Sequence, residues 1–270
     1  MHQIGAALTD WGVSAACGLS LLVLHRHGAP RRRHGGAPRW YDCFMYVYVA
    51  EGVACFAGGF MWSSGANKTC ALMGELEPAT QMWCFLMIQG MCAEGLALIL
   101  ASRELAGGSE GQALLPRALP ETMAFAASCI LYGLALASGA SISLIYKFLT
   151  PLAAGIVCIS VALARKISGA ETSDERRLWT QLLAGQSLNA VGAVVIASLD
   201  NDCTGLGCIT EGLPWESSPC RYGLAEPAGH GCPLPEWFNH AAVMHSAAIL
   251  SCAVCVPALR GLHGHAAKRA

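Results

Sequence analysis

The sequence predicts an all-α fold, a bundle of seven transmembrane helices with the N-terminus outside and the C-terminus in the cytoplasm. Three observations carry that expectation. Of the 270 residues, 54% are hydrophobic and only 13% are charged, about half the charge of an ordinary soluble domain. Seven apolar stretches are each long enough to cross a hydrocarbon core of about 30 Å as a helix. Positive charge is gathered into alternate connections, which orients a membrane chain.

The stretches run over residues 5–24, 40–62, 81–102, 122–140, 143–164, 178–199 and 237–259. The first has an acid, Asp10, where a secretory leader would have a base, and its basic run follows it, so it reads as a retained helix. A tight turn near residues 139–142 suggests that the fourth and fifth helices form an antiparallel hairpin. Pro151 and Pro257 are candidates for kinks. Small residues such as those of 133–140 allow close helix approach. There is one membrane domain and no internal repeat.

Of the 17 basic residues, 14 fall on one side of a seven-span chain, leaving Lys68, Lys147 and Arg221 opposite. Asn67-Lys68-Thr69 is an N-glycosylation sequon in the second connection, on the outer side. The sixth connection, residues 201–235, is a Cys-rich outer loop holding Cys203, Cys208, Cys220 and Cys232. In an oxidising space these read as disulfide partners, with three pairings open. Cysteines within apolar helices, such as Cys55, Cys129, Cys158, Cys252 and Cys255, read as small packing residues. A net charge of −1 gives no basic surface for nucleic acid.

Ionisable residues at membrane depth are the functional candidates. Topology gathers Asp10, Asp200, Asp202, Lys147, Glu236, His240 and His245 at the outer end of the bundle. Glu51 and Glu94 fall near the middle of the second and third helices, where a bare carboxylate is expensive. His240 and His245 are five apart, ~140° around an ideal helix, so sharing one metal needs a distorted first turn.

Trp237-Phe238-Asn239-His240-Ala241-Ala242-Val243-Met244-His245 resembles the start of the last helix in a family of seven-helix proteins best known from bacteria. Thr9-Asp10 matches the opening of that family, and Asp200-Asn201-Asp202-Cys203 is similar to a stretch of alkaline ceramidases. The family looks distantly related to the superfamily of alkaline ceramidases and adiponectin-receptor-like proteins. Two departures stand out: Trp62 occupies the place of the expected helix-two histidine, and Ala241-Ala242 replaces an Asn-Asp pair. The resemblance implies a lipid amide or ester hydrolase with zinc on His240 and His245, completed by Asp200 or Asp10. Asp200, Asp10 and Lys147 would be its catalytic groups and a membrane lipid its partner, in the plasma membrane or an endomembrane. The alternative is a catalytically inactive receptor, lipid-binding or assembly protein, in which the outer loop is the recognition surface. A retinal protein or conventional G-protein-coupled receptor ranks last, since the last helix holds no lysine for a Schiff base.

Overall fold

The computed structural model describes residues 4–32, 38–63, 78–107, 118–137, 150–203 and 240–269. Among them are seven α-helices and no strand. We number them α1 (Ile4–Arg32), α2 (Arg39–Ser63), α3 (Pro78–Gly107), α4 (Leu119–Ala137), α5 (Thr150–Ser168), α6 (Ser173–Cys203) and α7 (His240–Arg269). Five carry segments long and apolar enough to cross a membrane: Gly5–Gly28, Arg39–Met61, Pro78–Gly107, Thr150–Ser168 and Ala241–Ala266. α4 is a shorter apolar helix, and α6 opens on the charged turn Asp174-Glu175-Arg176-Arg177.

Burial is distributed as lipid solvation demands. Leu8, Leu19, Met123, Ile130, Leu134 and Val157 face outward, while Asp10, Glu51, Gln89, Glu94, His245 and His263 are buried. In water that arrangement would be inverted. In lipid the apolar groups meet hydrocarbon and the polar groups find partners inside. The chain is therefore a helical membrane protein.

Six helices close a ring in the order α1, α2, α3, α5, α6, α7 and back to α1, and α4 packs against α3 from outside it. The hairpin expected between the fourth and fifth helices is corrected: α4 lies on α3, whereas α5 lies against α3 and α6. The reason is a backbone contact. A Cβ on Gly95 would lie 2.3 Å from the Pro151 carbonyl, and one on Gly155 would lie 2.4 Å from Gly95 O. Two glycines let α3 and α5 touch main chain to main chain, leaving no room for α4 between them. α4 is held instead by Arg103–Glu121, by Ser128 Oγ donating to Gln89 Oε1 at 2.9 Å, and by Phe85 against Tyr132.

α1 runs further than its apolar stretch, carrying the basic segment to Arg32. Pro151 sits in the first turn of α5, where its missing N–H costs nothing. Pro257 is inside α7.

The contacts fix helix directions. α1 meets α7 through Asp10–His245 at one end and His27–His263 at the other, so the two are parallel. α2 is antiparallel to α1, since Gly58 faces Asp10 while Gly52 faces Cys17. α6 is antiparallel to α7, with Gly192 on Met244 and Leu178 on Gly261.

Candidate functional site

A step of seven residues organises the interface of α1, α2 and α7. On α1 it gives Asp10, Cys17 and Leu24, and on α7 it gives His245, Cys252 and Leu259. On antiparallel α2 it gives Gly58, Glu51 and Phe44. Seven residues are close to two helical turns, about 10 Å along the axis. Each step therefore returns to the same face, as in a coiled-coil seam. All nine positions are buried. Stacked down the bundle are an acid–imidazole layer, a thiol–carboxylate layer and an apolar floor.

The first layer joins α1 to α7. His245 Nε2 lies 2.9 Å from Asp10 Oδ1, with both side chains about 95% buried (5% and 4% exposed). The other ring nitrogen, Nδ1, lies 3.0 Å from Thr9 Oγ1. Thr9 Oγ1 is also 2.8 Å from Gly5 O and 3.0 Å from Ala6 O. α2 closes the layer from the side, because a Cβ on Gly58 would come within 2.6 Å of Asp10 Oδ2. Next to it, Trp11 packs edge-on against Phe60.

The second layer brings Cys17, Glu51 and Cys252 together from three helices, with one potential ligand atom from each within 4.8 Å of the others. Cys17 Sγ is 3.5 Å from Glu51 Oε2 and 4.0 Å from Cys252 Sγ. Cys55, one turn along α2 from Glu51, lies between the layers and within electrostatic reach of both Asp10 and Glu51. Glu94 on α3 is buried within reach of Glu51. Cys255 turns towards α6, where Gln186 Nε2 and Leu182 O approach its sulfur at 3.7 and 3.8 Å.

Of the residues singled out in the sequence, the structure joins Asp10 to His245 directly. Asp200 and Asp202 belong to the last turn of α6 and His240 to the first residue of α7, but their side chains lie outside the described part, as does that of Trp62. Lys147, Asn67, Cys208, Cys220 and Cys232 lie outside the described residues, and so does the side chain of Cys203. All nine cysteines described are free thiols.

Of the zinc ligands that the resemblance implies, the described side chains include His245 and Asp10 but not His240 or Asp200. His245 has both ring nitrogens engaged, by Asp10 and Thr9, so a metal there would have to displace one of them. What sequence reasoning passed over is the pair Cys17 and Cys252: Cys252 reads as a packing residue and Cys17 is not singled out. The signal was the shared seven-residue step from Asp10 and His245.

Comparison with models of known families, with curated proteins and with solved structures finds no match.

Proposed function

We propose that this chain is a seven-span membrane protein, N-terminus outside, that hydrolyses an amide or ester bond of a membrane lipid at the Thr9–His245–Asp10 layer. The observation that carries the reading is the buried Asp10–His245 contact of 2.9 Å, with a hydroxyl on the second ring nitrogen. A carboxylate on one side of an imidazole fixes its tautomer and orientation, which leaves the other nitrogen as a base. With Asp10 accepting from Nε2–H, Nδ1 can take a proton from a water that replaces the Thr9 contact. That water attacks the lipid carbonyl, and His245 returns the proton to the departing amine or alcohol. No step requires zinc on His245. The parallel α1 and α7 require an even number of reversals between them, which is compatible with seven crossings and not with six.

A second reading, an inactive lipid-binding or receptor protein, draws on the tightness of the same layer. Gly58 leaves no space beside Asp10, and a closed Thr–His–Asp array also suits a clamp between helices. Purified protein in lipid vesicles carrying an amide- or ester-linked fluorogenic lipid separates the two. Hydrolysis is expected to fall by ~10²-fold or more in His245→Ala and Asp10→Asn. Failure of the wild-type protein to release fatty acid, with both variants losing only thermal stability, would establish the clamp instead.

A further inference from the structure

Among the described residues, the Glu51 carboxylate is met by a thiol rather than by a strong donor. Glu51 is 7% exposed near the middle of α2, and Cys17 Sγ is the hydrogen-bond partner that meets it. A thiol is a weak donor. A carboxyl group at membrane depth usually faces a strong donor, a cation or water. Here the neighbouring groups from the other two helices are themselves sulfur ligands, and Glu94 on α3 adds a second acid. Two sulfurs and a carboxylate oxygen converging from α1, α2 and α7 make a donor set that attracts a cation.

The distances discriminate further. Zinc bound tetrahedrally, with ~2.3 Å to sulfur and ~2.0 Å to oxygen, sets sulfur-to-sulfur near ~3.8 Å and sulfur-to-oxygen near ~3.5 Å. The structure has 4.0 Å between Cys17 Sγ and Cys252 Sγ and 3.5 Å between Cys17 Sγ and Glu51 Oε2. A disulfide between the same cysteines would need sulfurs at ~2.0 Å, so at 4.0 Å the two are unbonded thiols at a spacing that a shared ion could also span. Magnesium and calcium are poorly served by such a set, because they take oxygen ligands in higher coordination.

We propose that Cys17, Glu51 and Cys252 form a binding site for a zinc-class divalent cation that ties α1, α2 and α7 together two turns below the Asp10–His245 layer. Binding replaces the two thiol protons, which leave to solvent, and gives two thiolates and one carboxylate on the ion. Three protein ligands leave one tetrahedral position for water. The proposal is independent of the hydrolase reading, since a structural ion would serve an inactive bundle equally well.

The test is metal content, and it does not use activity. Full-length protein purified in detergent without chelators is expected to carry about one zinc per chain by elemental mass spectrometry. Cys17→Ser, Cys252→Ser and Glu51→Gln should each reduce that at least ~10-fold. His245→Ala should leave it unchanged. Metal that survives the cysteine changes but is lost in His245→Ala would place it on the histidine layer and overturn the proposal. So would a Cys17–Cys252 disulfide in the native chain. Should the cysteine variants fail to fold, wild-type protein loaded with cobalt decides the matter. Thiolate-to-cobalt charge-transfer bands sustain the site, and a spectrum without them removes it.

Discussion

Gly58 has no side chain because Asp10 occupies the place where one would go. A Cβ there would stand 2.6 Å from Asp10 Oδ2 and 3.1 Å from its Cγ. Asp10 cannot simply swing away, because its other oxygen holds His245. Gly58→Ala is therefore expected to destabilise the protein by about 1–3 kcal/mol. Gly18→Ala is the control on the neighbouring helix, where nothing lies within 4 Å. There the gain in helix propensity should stabilise by about 0.5–1 kcal/mol. Thermal unfolding of the two variants in one detergent checks both signs, and a loss of stability in both would remove the packing argument. The meeting of Asp10 and His245 was legible in the sequence, since both are polar, both lie at one end of apolar stretches, and each needs a partner. The cysteines were not, because a search for ligands four residues apart inspects one helix at a time. Cys17, Glu51 and Cys252 come from three helices, and only a seven-residue step common to α1, α2 and α7 relates them.

Between elements, the decisive contact is that of Gly95 with Gly155, which puts the α3 and α5 backbones in touch. Gly95→Ala cannot be absorbed by a side-chain rotation, because the obstructing atoms are Pro151 C and O and Leu152 N. It is expected to force α3 and α5 apart and cost about 2–3 kcal/mol. Ser128→Ala removes only the hydroxyl that donates to Gln89 at 2.9 Å. Its expected cost is about 1 kcal/mol, confined to the docking of α4. Cross-linking between cysteines introduced on α4 and α3 should weaken in Ser128→Ala and persist in Gly95→Ala. The reverse pattern would show that α4 is not the separately docked helix. The existence of the helices was readable from apolar length alone. Their neighbours were not: small residues are scattered along every stretch, and which pair of glycines meets depends on three-dimensional register. The expected pairing of the fourth helix with the fifth failed for that reason, since chain adjacency was the only guide to proximity.

For the molecule as a whole, the ring order and helix directions bear on how the chain sits in the bilayer. α1 is parallel to α7 and antiparallel to α2, and α6 is antiparallel to α7. With seven crossings, the connection holding Asn67 and the loop of residues 201–235 share one side with the N-terminus. The tail after Leu259 lies on the other. In the proposed seven-span topology 14 of the 17 basic residues fall with the tail, and positive connections stay in the cytoplasm. In the proposed topology the loop of residues 201–235 faces the non-cytoplasmic space, where its four cysteines can oxidise. At least one disulfide is expected among Cys203, Cys208, Cys220 and Cys232, and closing a loop of ~15 residues would contribute about 3 kcal/mol. Peptide mass spectrometry without reduction checks it, and four free thiols in native protein would refute it. In sealed cells treated with an impermeant reductant, an impermeant maleimide should then label Cys220 from outside. A tag placed after Ala270 should become reachable only after permeabilisation. Labelling of Cys220 only from the cytoplasmic side would invert the topology and carry the Asp10–His245 layer to the inner leaflet. The lipid facing that layer would then be a cytoplasmic one.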